Sequence, residues 1–443
     1  MAFSSLTLES IREHEKCRFV LPLRRDSHEA RRRSFWATGL SLKLLRSPLL
    51  AIFLIVAVDV LGLTIMIPLL PFYAEKMGAT PTQVGLLIGT YAACQLFSGP
   101  LLGRMSDYTG RKPLLLVSQV GTLIGFLILA FAPSLWVVFL ARVIDGATAG
   151  NLSLAQAYIS DVTRPEERAK SFGVIGIAFG MGFLIGPAIS GYLAKFDYRD
   201  PIFAAAGLSA TSILATWLLL PSVKTSAAPA DGPGGRRLSL LQWGEYGRYF
   251  KQPELATRLF QFLSFAFSFA MFTAGFPLFA ERRLTWHGTP FGPEQVGFSW
   301  AYAGFLGIFL QGPALGKLVK KFGESNLNRL GFFAYAAGYC TLALCYSIPM
   351  LIVATTFCAL GSLVRPTLTS MITQAAPREE QGVVLGLTQS LTSIAQITGP
   401  PVAGFLIQHG ILTGWGFTAA GVALIGLLLA SRRPGTARDS TLP

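Results

Sequence analysis

Residues 99–113 read Gly-Pro-Leu-Leu-Gly-Arg-Met-Ser-Asp-Tyr-Thr-Gly-Arg-Lys-Pro, a short basic turn between two charge-free apolar runs. The spacing returns 213 residues later: Gly99-Pro100, Gly103 and Gly110 fall on Gly312-Pro313, Gly316 and Gly323. The same offset carries Glu166-Glu167 onto Glu379-Glu380, Gly173 onto Gly386 and Gly186-Pro187 onto Gly399-Pro400. Independent Gly-Pro pairs in helices would keep no common spacing, so the chain holds two copies of one unit. The polar stretch 222–252, with Ala-Pro-Ala-Asp-Gly-Pro-Gly-Gly at its core, joins them as a flexible linker.

The composition says what that unit is. Hydrophobic residues fill 52% of the 443 positions and charged residues 14%, with a mean hydropathy of +0.51; soluble chains carry about 25% charged residues. Runs such as 114–132, 202–221 and 411–430 contain no charge and are long enough to cross about 30 Å of hydrocarbon. Twelve such spans are expected, near 49–73, 82–104, 113–133, 136–160, 170–193, 200–221, 257–280, 295–317, 328–347, 349–374, 383–408 and 411–431. The expected fold class is an all-α membrane protein of twelve transmembrane helices in two pseudo-symmetric six-helix bundles. Its parts are an N-terminal tail (1–48), a first bundle (49–221), a linker (222–256), a second bundle (257–431) and a C-terminal tail (432–443). Two parallel repeats about an axis along the membrane normal suit a transporter that rocks one half against the other around a midplane cavity.

The five cysteines (Cys17, Cys94, Cys340, Cys345, Cys358) show neither disulfide nor metal spacing, and the histidines do not cluster with them. No metal and no cofactor is expected. Five acidic residues in the Arg-rich stretch before residue 49 argue against an organelle transit peptide, and the stretch lacks the pattern of a secretory signal.

A net charge of +14 raises the question of nucleic-acid binding, and the placement of the 37 Lys and Arg answers it. With the N-terminus inside, thirty fall in the tails and inner loops and five outside: Lys76, Lys195, Arg199, Arg282 and Arg283. Such asymmetry is the orientation signal of a plasma-membrane protein with both termini cytoplasmic, and no nucleic-acid partner is expected. The remaining two, Arg142 and Arg365, lie within spans.

Four motifs in order resemble those of the Major Facilitator Superfamily, in its twelve-span drug:proton antiporter branch. They are the loop Gly103 to Pro113; Asp59-Val-Leu-Gly62 followed by Pro68-Leu-Leu-Pro71; Arg142-Val-Ile-Asp145-Gly146; and Gly173, Gly182, Gly186-Pro187, Ser190-Gly191. From about residue 49 to 430 the order of elements, with Tyr91 and Gln95 in span 2, is similar to the tetracycline/proton antiporters. The resemblance implies that Gly103, Asp107, Gly110 and Arg111 form a conformational latch with the start of span 11 at Glu379-Glu380. It also implies that Gly173, Gly182, Gly186, Pro187 and Gly191 form the antiporter motif, and that Tyr91 and Gln95 line the substrate cavity. Close helix packing alone also accounts for the span 5 glycines, and topology alone for Arg111 and Lys112. The chain departs from the tetracycline carriers at Tyr108 and Gly125, where they place a base and an acid, and in having no acid in span 9. Tetracycline is therefore not the expected substrate.

Charges inside the membrane carry the most information, because each costs about 3 kcal/mol at the bilayer centre. Asp59 and Arg142 differ in depth by about 6 Å at 1.5 Å per residue. Arg142 is therefore expected to alternate between Asp59 and Asp145, the three forming the proton-coupling set; a static ion pair is the competing reading. Arg365 is expected to reach the cavity from a helix broken by Pro366, or else to snorkel toward the cytoplasm. Neither a nucleophile with its base nor a phosphate loop is present, so the chain is not expected to be an enzyme. The preferred reading is proton-coupled export of a small amphipathic compound by a monomer. Uptake or exchange of an organic anion at Arg142 and Arg365 is the alternative, and a non-transporting sensor the remote one.

Overall fold

A computed structural model describes residues 48–163, 168–221, 243–377 and 380–431. The tails, most of the linker, and the acids Glu166, Glu167 and Glu379 lie outside the described residues.

The chain folds as helices α1 (Pro48–Lys76), α2 (Pro81–Thr109), α3 (Arg111–Ala130), α4 (Leu135–Ala147), α5 (Asn151–Val162), α6 (Arg168–Leu193) and α7 (Asp200–Leu219). A short linker helix, α8 (Trp243–Phe250), precedes α9 (Pro253–Arg283). Then come α10 (Pro293–Phe309), a π-helical turn (Leu310–Ala314), α11 (Leu315–Phe322), α12 (Glu324–Ala343), α13 (Ile348–Gly361), α14 (Val364–Ala375), α15 (Gln381–Gln408) and α16 (Leu412–Ser431). The only strands among the described residues are β1 (Thr285–Trp286) and β2 (Thr289–Pro290), a hairpin turned by His287 and Gly288, both at positive φ. The ninth element starts four residues before the span expected at 257, because Pro253 fits the first helical turn, where its missing N–H costs nothing.

Taken as α4–α5, α10–α11 and α13–α14 end to end, these helices make twelve crossings among the described residues. Eight are long and apolar enough to span a membrane by length and composition alone. The other four are α6, α10–α11, α12 and α15, and α15 is rich in Thr, Ser and Gln, as suits a helix facing a polar interior.

The repeat is written into the helix ends. α3, α4, α5 and their copies α12, α13, α14 all start at the same 213-residue offset: Arg111 and Glu324, Leu135 and Ile348, Asn151 and Val364. Gly110 and Gly323 both turn at positive φ, 94° and 77°, a conformation that costs a glycine nothing. Spans 4 and 10 are therefore broken at matching points, and the break in span 10 is at Ser362-Leu363; Pro366 sits in the first turn of α14 and does not make it. In span 4 the freed backbone groups find neighbours: the Ser98 hydroxyl donates to the Gly146 carbonyl (2.7 Å) and the Gly150 amide donates to Ser118 Oγ (2.9 Å). Such replacement is what permits a helix break inside a bilayer.

Across the pseudo-symmetry axis the halves meet backbone to backbone at one end only. A Cβ on Gly85 or Gly404 of the α2–α15 pair would overlap Pro400 or Pro81, and one on Gly297 or Gly304 of the α10–α6 pair would overlap Pro187 or Phe183. Ion pairs rim this end: Glu75 with Arg282 and Lys195 with Glu294, each at 2.6 Å. Toward the other end the same helix faces emerge from cover. Gly85, Gly89 and Ala92 are buried and Pro100 is exposed; Gly297 and Trp300 are buried and Gln311 is exposed. A Cβ at Gly103, Gly312, Gly316 or Gly386 would meet nothing within 4 Å. The bundle is closed at its Glu75 end and splayed at its Asp107 end.

Candidate functional site

Two polar clusters interrupt the apolar first half. In the first, Asp59 of α1 has Gln119 of α3 and Ser212 of α7 as its polar neighbours, and Gln119 Nε2 donates to Ser212 Oγ at 2.8 Å. Both partners are buried, while Asp59 is half-buried. In the second, Arg142 and Asp145 of α4, each 5% exposed, form an ion pair at 3.4 Å. Thr122 of α3 adjoins Asp145, and the Tyr91 ring lies 5.9 Å from the Arg142 guanidinium. Gln95 Nε2 donates to the Tyr91 hydroxyl at 3.2 Å. Arg142 Nε and Nη2 have no hydrogen-bond partner.

The expected alternation of Arg142 between two acids is therefore not what this conformation contains. Among the described residues no ion pair joins Asp59 to Arg142; the arginine has Asp145, and Asp59 has neutral donors. Depth along a helix predicts height and leaves azimuth open, and α3 supplies partners that the apolar pattern hides. Gln119, Thr122 and Ser212 are the residues that sequence reasoning missed; each is a neutral polar side chain in a charge-free run, the one available signal. Gly125 is explained by the same packing, since a Cβ there would lie 2.9 Å from Asp145 Cβ. The space that the resembling carriers give to an acid on span 3 is taken by the acid of α4.

The span 5 residues divide between two neighbours. A Cβ on Gly182 would overlap Val60, and one on Gly186 would overlap the Thr64 hydroxyl, which donates to the Gly182 carbonyl at 2.9 Å. Pro187 and Gly191 instead meet α10 at Gly297 and Glu294. Gly173 lies in α6 among residues whose side chains are not described.

At the splayed end, Arg111 is 6% exposed and holds the α2–α3 turn together. Its Nη1 pairs with Asp107 at 2.6 Å and donates to Ser106 Oγ at 2.6 Å, and its Nε donates to Asp161 of α5 at 2.8 Å. Asp107 thus faces its own turn, while Glu380, one residue before α15, pairs with Arg248 of α8 at 2.8 Å. Asp161 was not anticipated. In the second copy the positions of Asp107, Arg111 and Asp161 hold Lys320, Glu324 and Gln374, and Glu324 accepts from Ser370 (2.7 Å) and Gln374 (3.1 Å). Arg111→Gln is expected to leave two carboxylates facing each other and to cost about 3 kcal/mol. A clear fall in Tm of the detergent-purified protein checks this, and an unchanged Tm removes the anchoring role.

Arg365, second residue of α14, is exposed and lies near Tyr335 of α12. Tyr335 itself stacks on Tyr339 at 5.4 Å.

This architecture, a twelve-span duplicated bundle closed at one end around a few membrane-embedded charges, is that of a secondary transporter. The chain belongs to the Major Facilitator Superfamily, whose family model matches residues 52–346 and 312–442. It is 30% identical to the class D tetracycline resistance protein of Salmonella ordonez, over 87% of this chain and 96% of that one. It is 26% identical to multidrug resistance protein 2 of Bacillus subtilis (strain 168), over 83% and 90%. Among solved structures, the nucleoside transporter NupG superposes with a TM-score of 0.69 at 15% identity, covering 87% of this chain and all of that one, a likeness of fold alone. The chain is a multi-pass membrane transporter of a small-molecule substrate and not an enzyme.

Proposed function

We propose that this transporter exports a small amphipathic compound from the bacterial cytoplasm in exchange for protons, with Asp59 as the site where proton and substrate alternate. The observation that carries the reading is the position of Asp59: a half-buried carboxyl inside the membrane, flanked by the neutral groups of Gln119 and Ser212 and without a basic partner among the described residues. A carboxyl without a fixed cation can change charge without breaking an ion pair, whereas Asp145 is paired with Arg142 at 3.4 Å. Similarity to tetracycline and multidrug resistance proteins over most of the chain supports the outward direction.

The thirty basic residues put the Asp107 end in the cytoplasm, so the splayed form is the one that loads from inside. The residues for latch and antiporter motif then act at opposite faces. Pro187 and Gly191 pack the outer closure, and Asp107 with Arg111 is ready to meet the start of α15 when the inner end shuts. The protein works as a monomer in the bilayer, with no nucleic-acid partner.

Two measurements test this. In proteoliposomes carrying an imposed pH gradient, a fluorescent lipophilic probe such as ethidium should accumulate in the acidic compartment and leak away when the gradient is collapsed; accumulation indifferent to the gradient sinks the coupling. For orientation, Ser226→Cys in the linker and Trp286→Cys in the β1–β2 hairpin should react with an impermeant maleimide from opposite faces of intact cells and everted vesicles. Labelling of both from one face overturns the topology.

A further inference from the structure

Two embedded charges of opposite sign, Asp59 in the first half and Arg365 in the second, are at least partly accessible and, among the described residues, have no ionic partner. Asp59 lies 17 residues before the end of α1 at Lys76, and Arg365 lies 17 residues after the start of α13 at Ile348. Both of those helix ends are at the Glu75 face, so at 1.5 Å per residue both charges sit about 26 Å below it. Asp59 is half-buried and Arg365 exposed, so both can be reached by a ligand. Among the described residues no carboxylate lies within ion-pair distance of Arg365, and no base within that distance of Asp59. The other embedded charges, Arg142 and Asp145, pair with each other at 3.4 Å and sit nearer the closed end.

An unpaired guanidinium at mid-membrane depth is costly unless something compensates it. Arginine cannot shed its proton to escape that cost. A carboxylate at the same depth on the facing half raises the same demand with the opposite sign. One ligand carrying both charges answers the two together.

We propose that the preferred substrate is a dipolar compound, its cationic group meeting Asp59 and its anionic group meeting Arg365, with an aromatic body between the halves. This rests on the proposed proton antiport and makes Arg365 the residue that sets specificity. The sign agrees with exchange: the cationic group and the proton compete for one carboxylate, whereas Arg365 holds the anionic end whatever the proton does. A purely anionic substrate would bind best with Asp59 protonated and would travel with the proton, in the wrong direction for export.

The test is equilibrium binding to the full chain in nanodiscs by calorimetry, which requires no proton gradient. The probes are 4-(aminomethyl)benzoate, its amide (a cation) and its N-acetyl derivative (an anion). Wild type should bind the dipolar probe at least tenfold more tightly than either single-charge probe. Arg365→Gln should erase its advantage over the cation and leave cation binding unchanged; Arg365→Lys should restore part of it, which separates charge recognition from misfolding. Asp59→Asn should erase the advantage over the anion. Equal binding of the three probes by wild type, no binding of any, or an advantage that survives Arg365→Gln overturns the proposal. Dipolar preference without gradient-driven export would sink the antiport reading and leave this one; export with equal binding of the three probes does the reverse.

Discussion

Asp59→Asn is expected to abolish uphill export while downhill exchange of substrate continues. On the proposed mechanism proton and substrate compete in the parent, so affinity should be full at alkaline pH and fall as pH drops through the carboxyl's pKa in the free carrier. If bound substrate favours the ionised carboxyl by about two pKa units, the linkage amounts to ~2.7 kcal/mol, or about a hundredfold in affinity, lost about tenfold per pH unit. The asparagine keeps the hydrogen bonding to Gln119 and Ser212 but carries no titrating proton, so its binding should be flat with pH. Counterflow and binding assays at several pH values check this. If the variant still concentrates substrate with an unchanged pH profile, Asp59 is not the carrier and Asp145 becomes the candidate.

The second large effect belongs to the closed end. Gly85→Leu and Gly297→Leu would each place a side chain where the backbone of Pro400 or Pro187 now lies. Overpacking costs about 1–3 kcal/mol where side chains can yield; here the obstacle is main chain on the other half, and the yielding motion is separation of the halves. Transport should fall below about a tenth of the parent because one of the two alternating states is lost. Neither glycine packs within its own half at this point, so both variants should still insert and purify. Spin labels at the exposed Phe196 and Trp286, on either side of the seam, should move apart in both variants. Full activity with an unchanged distance would mean that the seam is not a gate.

The duplicated fold was legible because glycine and proline mark backbone geometry directly: Gly110 and Gly323 turn at positive φ, and the offset they define recurs in helix starts across both copies. The breaks at residues 148–150 and 362–363 were not, since Thr148-Ala149-Gly150 and Ser362-Leu363 resemble the small and apolar residues used throughout these spans. In span 4 the break is sustained by tertiary contacts: Ser98 and Ser118 on neighbouring helices take up the freed backbone groups. The embedded charges were legible as a set because charge is rare in a bilayer. Which acid faces Arg142 was not, because pairing depends on helix rotation, and Asp145 is one turn away while Gln119 covers Asp59. The residues expected to form the inner latch lie at the splayed end, and their present partners, Asp161 for Arg111 and Arg248 for Glu380, required three-dimensional contacts.

The two copies share helix ends almost residue for residue, yet their interiors have diverged. The counterparts of Asp59, Gln119, Asp145 and Ser212 in the second copy are Phe272, Phe332, Cys358 and Ile425. On the proposed roles of Asp59 and Arg365, duplication left one inherited frame with two separable duties, energy conversion in the first copy and ligand choice in the second. Changes that accumulate around Arg365 can alter the range of compounds tolerated by the host without disturbing the proton step. A lineage under shifting chemical challenge can explore new cargo through one half of the gene while the other is held constant, and recombination between relatives at the linker would exchange the two duties as intact modules.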